Sequence, residues 1–255
     1  MNLPLGLIAA ILLSPPSFAA AGNGTRGTIA VPAGSYLPFF AAPEKRKPVA
    51  VPSFRMDRYP VTNGEFLDFV RANPEWRKSK IRPLFTDGNY LATWRGDLRI
   101  GTPSPKSPVT YVSWFAAEAY CEWRKKTLPT VDEWEYAASD PGKPGGPDRK
   151  KILAWYSKPT PKKLPRVGTA STSALGLRDL YGLVWEWTLD FNSLMQGEEA
   201  RDAGSKDYDL FCGAGSRGAL DPTDYASFMR YSFRKSLKAN YCVANLGFRC
   251  VEEER

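Results

Sequence analysis

Glu186 lies between two tryptophans in the run Tyr181-Gly182-Leu183-Val184-Trp185-Glu186-Trp187, the most informative stretch of the chain. A carboxylate in so apolar a setting is costly unless a hydrogen-bond network, an arginine or a bound cation compensates it. The run therefore points to a buried structural site, with a metal ion as one form of compensation. The other reactive side chains are four cysteines, Cys121, Cys212, Cys242 and Cys250, which allow three disulfide pairings. The chain has no histidine. Ser-His-Asp hydrolysis thereby loses its usual base and catalytic zinc its usual ligand. This absence excludes more chemistry than any residue present suggests.

The elements that must hold these groups are short. The chain has 255 residues, 43% of them hydrophobic, with 21 glycines and 22 prolines. That suits a single domain rich in turns. Met1 to Leu13 is apolar, and Ser14 to Ala21 ends in small residues that suit cleavage after Ala19 or Ala21. Residues 1–21 are therefore expected to be a signal peptide and 22–255 the mature domain, soluble in the periplasm with no later transmembrane segment. Export makes disulfides the natural state of the cysteines. The net charge of +8 is spread over dispersed Lys/Arg clusters. An acidic protein or envelope surface is the expected partner, and nucleic acid is not.

Thr28 to Tyr36 reads as a strand running into a turn, with Val49 to Met56 as its hairpin partner. Thr62-Asn63-Gly64-Glu65 is a capping box, followed by Phe66, Phe69 and Val70 at helical spacing. A second helix is predicted from Ser113 through Trp123. A third opens after Thr130, with Glu133 closing its box. Asp140 to Arg149 reads as a surface loop, and the remainder as short strands and long loops. The fold class is α+β with low regular content.

Five motifs then follow in order: Tyr59 to Phe66, Pro108 to Trp114, Leu128 to Tyr136, the tryptophan-flanked run, and Asn245-Leu246-Gly247-Phe248-Arg249-Cys250. The series resembles the formylglycine-generating enzyme (sulfatase-modifying factor) family over nearly the whole mature chain. The resemblance implies that family's fold, related to C-type lectins. Active members oxidise a substrate cysteine with two copper(I)-binding cysteines shortly after an Arg-Gly pair. Aligned without a gap from Arg217-Gly218 to Arg230-Tyr231, those positions fall on Thr223 and Phe228. Neither supplies the soft thiolate that copper(I) requires, so no copper and no catalytic residue is expected. A histidine-held iron, as in an ergothioneine-making branch, is excluded with the histidines.

The resemblance also implies a structural calcium ion held by Asp179, the carbonyls of Gly182 and Val184, and Glu186. Oxygen donors of this kind suit calcium; pairing of Glu186 with Arg249 is the competing arrangement. It further implies a Cys121–Cys250 disulfide, which leaves Cys212 for Cys242. A retained scaffold without catalytic thiols implies recruitment for binding. The chain also resembles a regulatory branch of the family acting on a transmembrane Ser/Thr kinase that controls type VI secretion. The expected contact is the kinase's periplasmic region or an outer-membrane lipoprotein, through Thr223, Asp224, Tyr225, Phe228 and Met229. The alternatives are a periplasmic oxidoreductase or tailoring enzyme, using groups such as Asp221, Asp224 and Tyr225, and a lectin-like glycan or peptidoglycan binder.

Overall fold

A computed structural model of the chain describes residues 27–38, 47–192 and 222–253. The expected signal segment lies outside these residues. The hairpin anticipated near the start is present but divided. Strands β1 (Thr28–Val31) and β4 (Phe54–Asp57) pair antiparallel, while β2 (Gly34–Tyr36) pairs with β3 (Val49–Val51). Pro32 and Pro52 sit at the break, where each lacks the N–H that a continuous ladder would need. The C-terminal strand, β7 (Val251–Glu253), returns to β4 with Met56 opposite Val251, so one sheet has the order β1-β4-β7.

Both capping boxes are formed. Thr62 caps helix α1 (Asn63–Ala72) and Glu65 reaches back to the Thr62 amide; Thr130 and Glu133 do the same for α3 (Val131–Ala138). Helix α2 (Trp114–Trp123) starts at Ser113, whose hydroxyl accepts from the Ala116 amide. The helical spacing in α1 turns Phe66, Phe69 and Val70 fully inward. They meet Tyr120, Phe248 and Trp94 in an aromatic cluster with Phe66–Tyr120 ring centres 5.8 Å apart. Cys121 of α2 is joined to Cys250, which ties this helix to the last strand. That confirms the pairing the resemblance implied.

Two helices were not anticipated. Helix α4 (Arg149–Tyr156) begins at Asp148, whose carboxylate accepts from the Lys151 amide. The segment had read as loop because its Pro/Gly-rich approach masked an ordinary N-cap. Helix α5 (Pro222–Ser236) opens on proline, which suits the first helical turn, and packs on α4. Between them, β5 (Trp185–Glu186) and β6 (Leu246–Gly247) form a two-residue parallel pair that lays the tryptophan-flanked run against the Gly-Phe-Arg segment. Only glycine fits at 247, since a Cβ there would lie 2.8 Å from the Val109 carbonyl oxygen. The architecture is mixed helix and strand with modest regular content.

Candidate functional site

The β5–β6 pairing decides the fate of Glu186. It brings Arg249, fully buried, alongside the carboxylate. Arg249 donates from Nε to Glu186 Oε2 and from Nη2 to Oε1, both at 2.8 Å. Its remaining N–H groups go to the carbonyls of Arg178, Asp57 and Arg58, and Trp134 Nε1 adds a bond to Glu186 Oε2 at 2.8 Å. Asp179 is separately engaged, accepting from the amides of Gly168, Ala170 and Ser171. The expected calcium set of Asp179, the Gly182 and Val184 carbonyls, and Glu186 therefore does not fit the ion as arranged. Every carboxylate oxygen in it accepts from nitrogen, and Glu186 already has its charge matched. A calcium shell needs six to eight oxygens free to turn toward the metal. The competing Glu186–Arg249 pairing is the arrangement present.

The second expected disulfide, Cys212–Cys242, involves a residue outside the described ones, Cys212. Cys242 is a buried free thiol. Burial, reinforced by the nearby Asp87 charge, pushes the Cys242 thiol up to about 12. It stays protonated at neutral pH and is no nucleophile.

Helix α5 carries the positions aligned with the catalytic cysteines. The side chains of Thr223 and Asp224, like Asp221, lie outside the described residues. Tyr225 is exposed at 43%, and its ring is roughly parallel to that of half-buried Phe228 at 6.3 Å. Met229, also half-buried, completes an i, i+3, i+4 face. So three of the expected contact residues share one side of a helix.

The opposite side of α5 holds what the sequence did not disclose. Arg230 and Arg234 turn inward onto Glu135 of α3, and all three are at most 7% exposed. Arg230 grips the carboxylate with Nε at 3.0 Å from Oε1 and Nη2 at 2.7 Å from Oε2; Arg234 Nη1 donates to Oε1 at 2.5 Å. Both guanidinium groups lie over the Trp134 ring, Arg234 at 5.1 Å. Burial alone would push the Glu135 carboxyl up, but the two arginines override it and hold it at about 2. The available signal was Trp134-Glu135-Tyr136, a second glutamate between aromatic residues.

Beside this triad a cleft of about 670 Å³ runs between α4 and the segment 158–185, with Lys143, Lys151 and Lys158 among its lining residues. Trp155, Tyr156 and Trp185 form its aromatic wall, the Tyr156 and Trp185 rings stacked at 4.7 Å. Among the described residues no helix is long and apolar enough to cross a membrane.

A disulfide-tied α+β scaffold with few regular elements, pinned by the Glu186–Arg249 pair, is a sulfatase-modifying-factor fold. The family profile for the sulfatase-modifying factor enzyme 1-like domain matches residues 16–254, and the chain belongs to this family. It is 27% identical to the inactive C-alpha-formylglycine-generating enzyme 2 of Bos taurus, over 90% of this chain and 89% of the relative. It is 28% identical to the formylglycine-generating enzyme of Streptomyces coelicolor, over 93% of each. The structure of PvdO from Pseudomonas aeruginosa matches with a TM-score of 0.50 at 18% identity, covering 89% of this chain and 94% of that one. At that identity the likeness speaks for the fold alone.

Proposed function

We propose that this protein is a non-enzymatic, periplasmic binding member of the family. In this reading it promotes activation of a transmembrane Ser/Thr kinase controlling type VI secretion, as the regulator TagR does. The observation that carries it is that helix Pro222–Ser236, onto which the gap-free alignment sets the catalytic thiol positions at Thr223 and Phe228, contains no cysteine. Similarity to a relative that bears the name inactive supports the same direction. The free thiol nearest in sequence, Cys242, is held protonated and buried.

The contact surface is the outer side of α5 at Tyr225, Phe228 and Met229, together with Thr223 and Asp224 at the start of the same helix, whose side chains lie outside the described residues. Aromatic and methionine side chains are enriched in interface cores. The net charge of +8 speeds encounter with an acidic partner such as the kinase's periplasmic region or an outer-membrane lipoprotein. A regulator of this kind acts only through its different affinity for two kinase states. Replacing Thr223, Tyr225, Phe228 and Met229 together by alanine is expected to abolish kinase threonine phosphorylation in cells, with circular dichroism and Tm near wild type. Wild-type phosphorylation from the quadruple variant refutes the proposed surface. Turnover of a peptide or siderophore by the purified protein, lost in Tyr225→Phe, refutes the non-enzymatic role.

A further inference from the structure

Glu135 is one negative charge against two buried guanidinium groups. Glu186, which lies close by, is matched by Arg249, so among the described residues one positive charge in this part of the core stays unmatched. Burying an uncompensated charge is expensive, and proteins answer it with a counter-charge or a shifted protonation state. Arginine cannot take the second course, because its guanidinium does not deprotonate in proteins.

The geometry shows where a counter-charge fits. Arg234 commits Nη1 to Glu135, while its Nε and Nη2 donate to no described residue although the side chain is only 6% exposed. Arg234 and Arg230 both line a small void walled by Trp134, Trp155, Trp185 and Phe233, and Glu186, its charge met by Arg249, is the one carboxylate in that lining. The void measures about 10 Å³, close to the room one water molecule requires. A carboxylate-bearing ligand is too large for it without displacing Tyr156 or Trp185, the residues that also wall the wide cleft. A monatomic anion meets the size and the charge, and Arg234 brings the unused N–H donors that it requires.

We propose that this void is a binding site for a small monovalent anion of halide size, held by Arg234 with Arg230 behind the aromatic wall. The anion neutralises the triad and stiffens α5 against α3 and α4. It thereby acts on the helix whose outer face carries Tyr225 and Phe228, whether or not that face contacts a kinase.

The test is thermal unfolding of the full mature protein in sodium chloride, sodium bromide and sodium gluconate at equal ionic strength, with diffraction from bromide-grown crystals. We expect chloride and bromide to raise Tm by about 2–4 °C over gluconate, and an anomalous bromide peak within hydrogen-bond reach of Arg234. Arg234→Gln is expected to abolish both. Equal melting in the three salts overturns the proposal. So does an ordered water with no bromide signal in the void, or a bromide found only elsewhere on the surface. The wild-type measurements stand by themselves if Arg234→Gln fails to fold.

Discussion

Two glutamates of this protein sit between aromatic residues, and the core treats them differently. Glu186, in Trp185-Glu186-Trp187, meets one arginine whose five N–H groups are all committed, two to the carboxylate and three to backbone carbonyls. Glu135, in Trp134-Glu135-Tyr136, meets two arginines, and one of them makes a single hydrogen bond among the described residues. The first cluster is balanced and closed, and it crosslinks β4, β5 and the loop before β7. The second carries a surplus charge beside a void. A closed pair can only hold the fold together, whereas an unbalanced one leaves something for a ligand to complete. The structural centre and the responsive centre of this domain are therefore different places that look alike in sequence.

Mutation of the closed pair should give the largest effect. Arg249→Met leaves Glu186 buried and unpaired and strips three carbonyls of their donor, so we expect a loss of about 3–5 kcal/mol in urea unfolding. A loss below about 1 kcal/mol would break the distinction between the clusters.

The next effect is acid sensitivity from Glu135. Its folded-state value, about 2, lies below the ordinary 4.5, so the stabilisation is fully present above pH 4.5 and is lost as pH falls toward 2. The shift corresponds to about 3 kcal/mol. Glu135→Gln should flatten the stability profile across that window, measured by urea midpoints at successive pH values. An unchanged profile would mean that other carboxylates carry the acid transition.

A smaller effect is expected for Arg234→Met. It removes the surplus charge and leaves Glu135 paired with Arg230, so stability in gluconate should change by less than about 1 kcal/mol. A cost as large as that of Arg249→Met would show that both arginines are structural. The smallest effect concerns calcium. With Glu186 matched by Arg249 and Asp179 held by backbone amides, chelation by EDTA and addition of calcium should each shift Tm by less than about 1 °C. A rise of several degrees with calcium would restore the ion-centred arrangement of the 179–186 segment.

The capping boxes at Thr62 and Thr130, the helix start at Ser113 and the inward face of Phe66, Phe69 and Val70 were all legible in the sequence. Each depends on residues three or four apart, where chain geometry alone fixes the neighbours. The divided hairpin was legible too, except for the break that its prolines impose. The motif order gave the fold and the Cys121–Cys250 bridge through family likeness, since the 129 residues between them offer no local signal. Helix α5 was hidden because its inward face is charged, and arginines normally mark a solvated side.

What the sequence determined by itself was therefore the scaffold and the lack of any histidine. Which cation answered each buried glutamate was decided only by the tertiary structure. Arg249 is 63 residues from Glu186, and Arg230 and Arg234 are 95 and 99 residues from Glu135. A buried charge specifies that it must be compensated, but the compensating group is whichever one the packing of distant elements brings within reach.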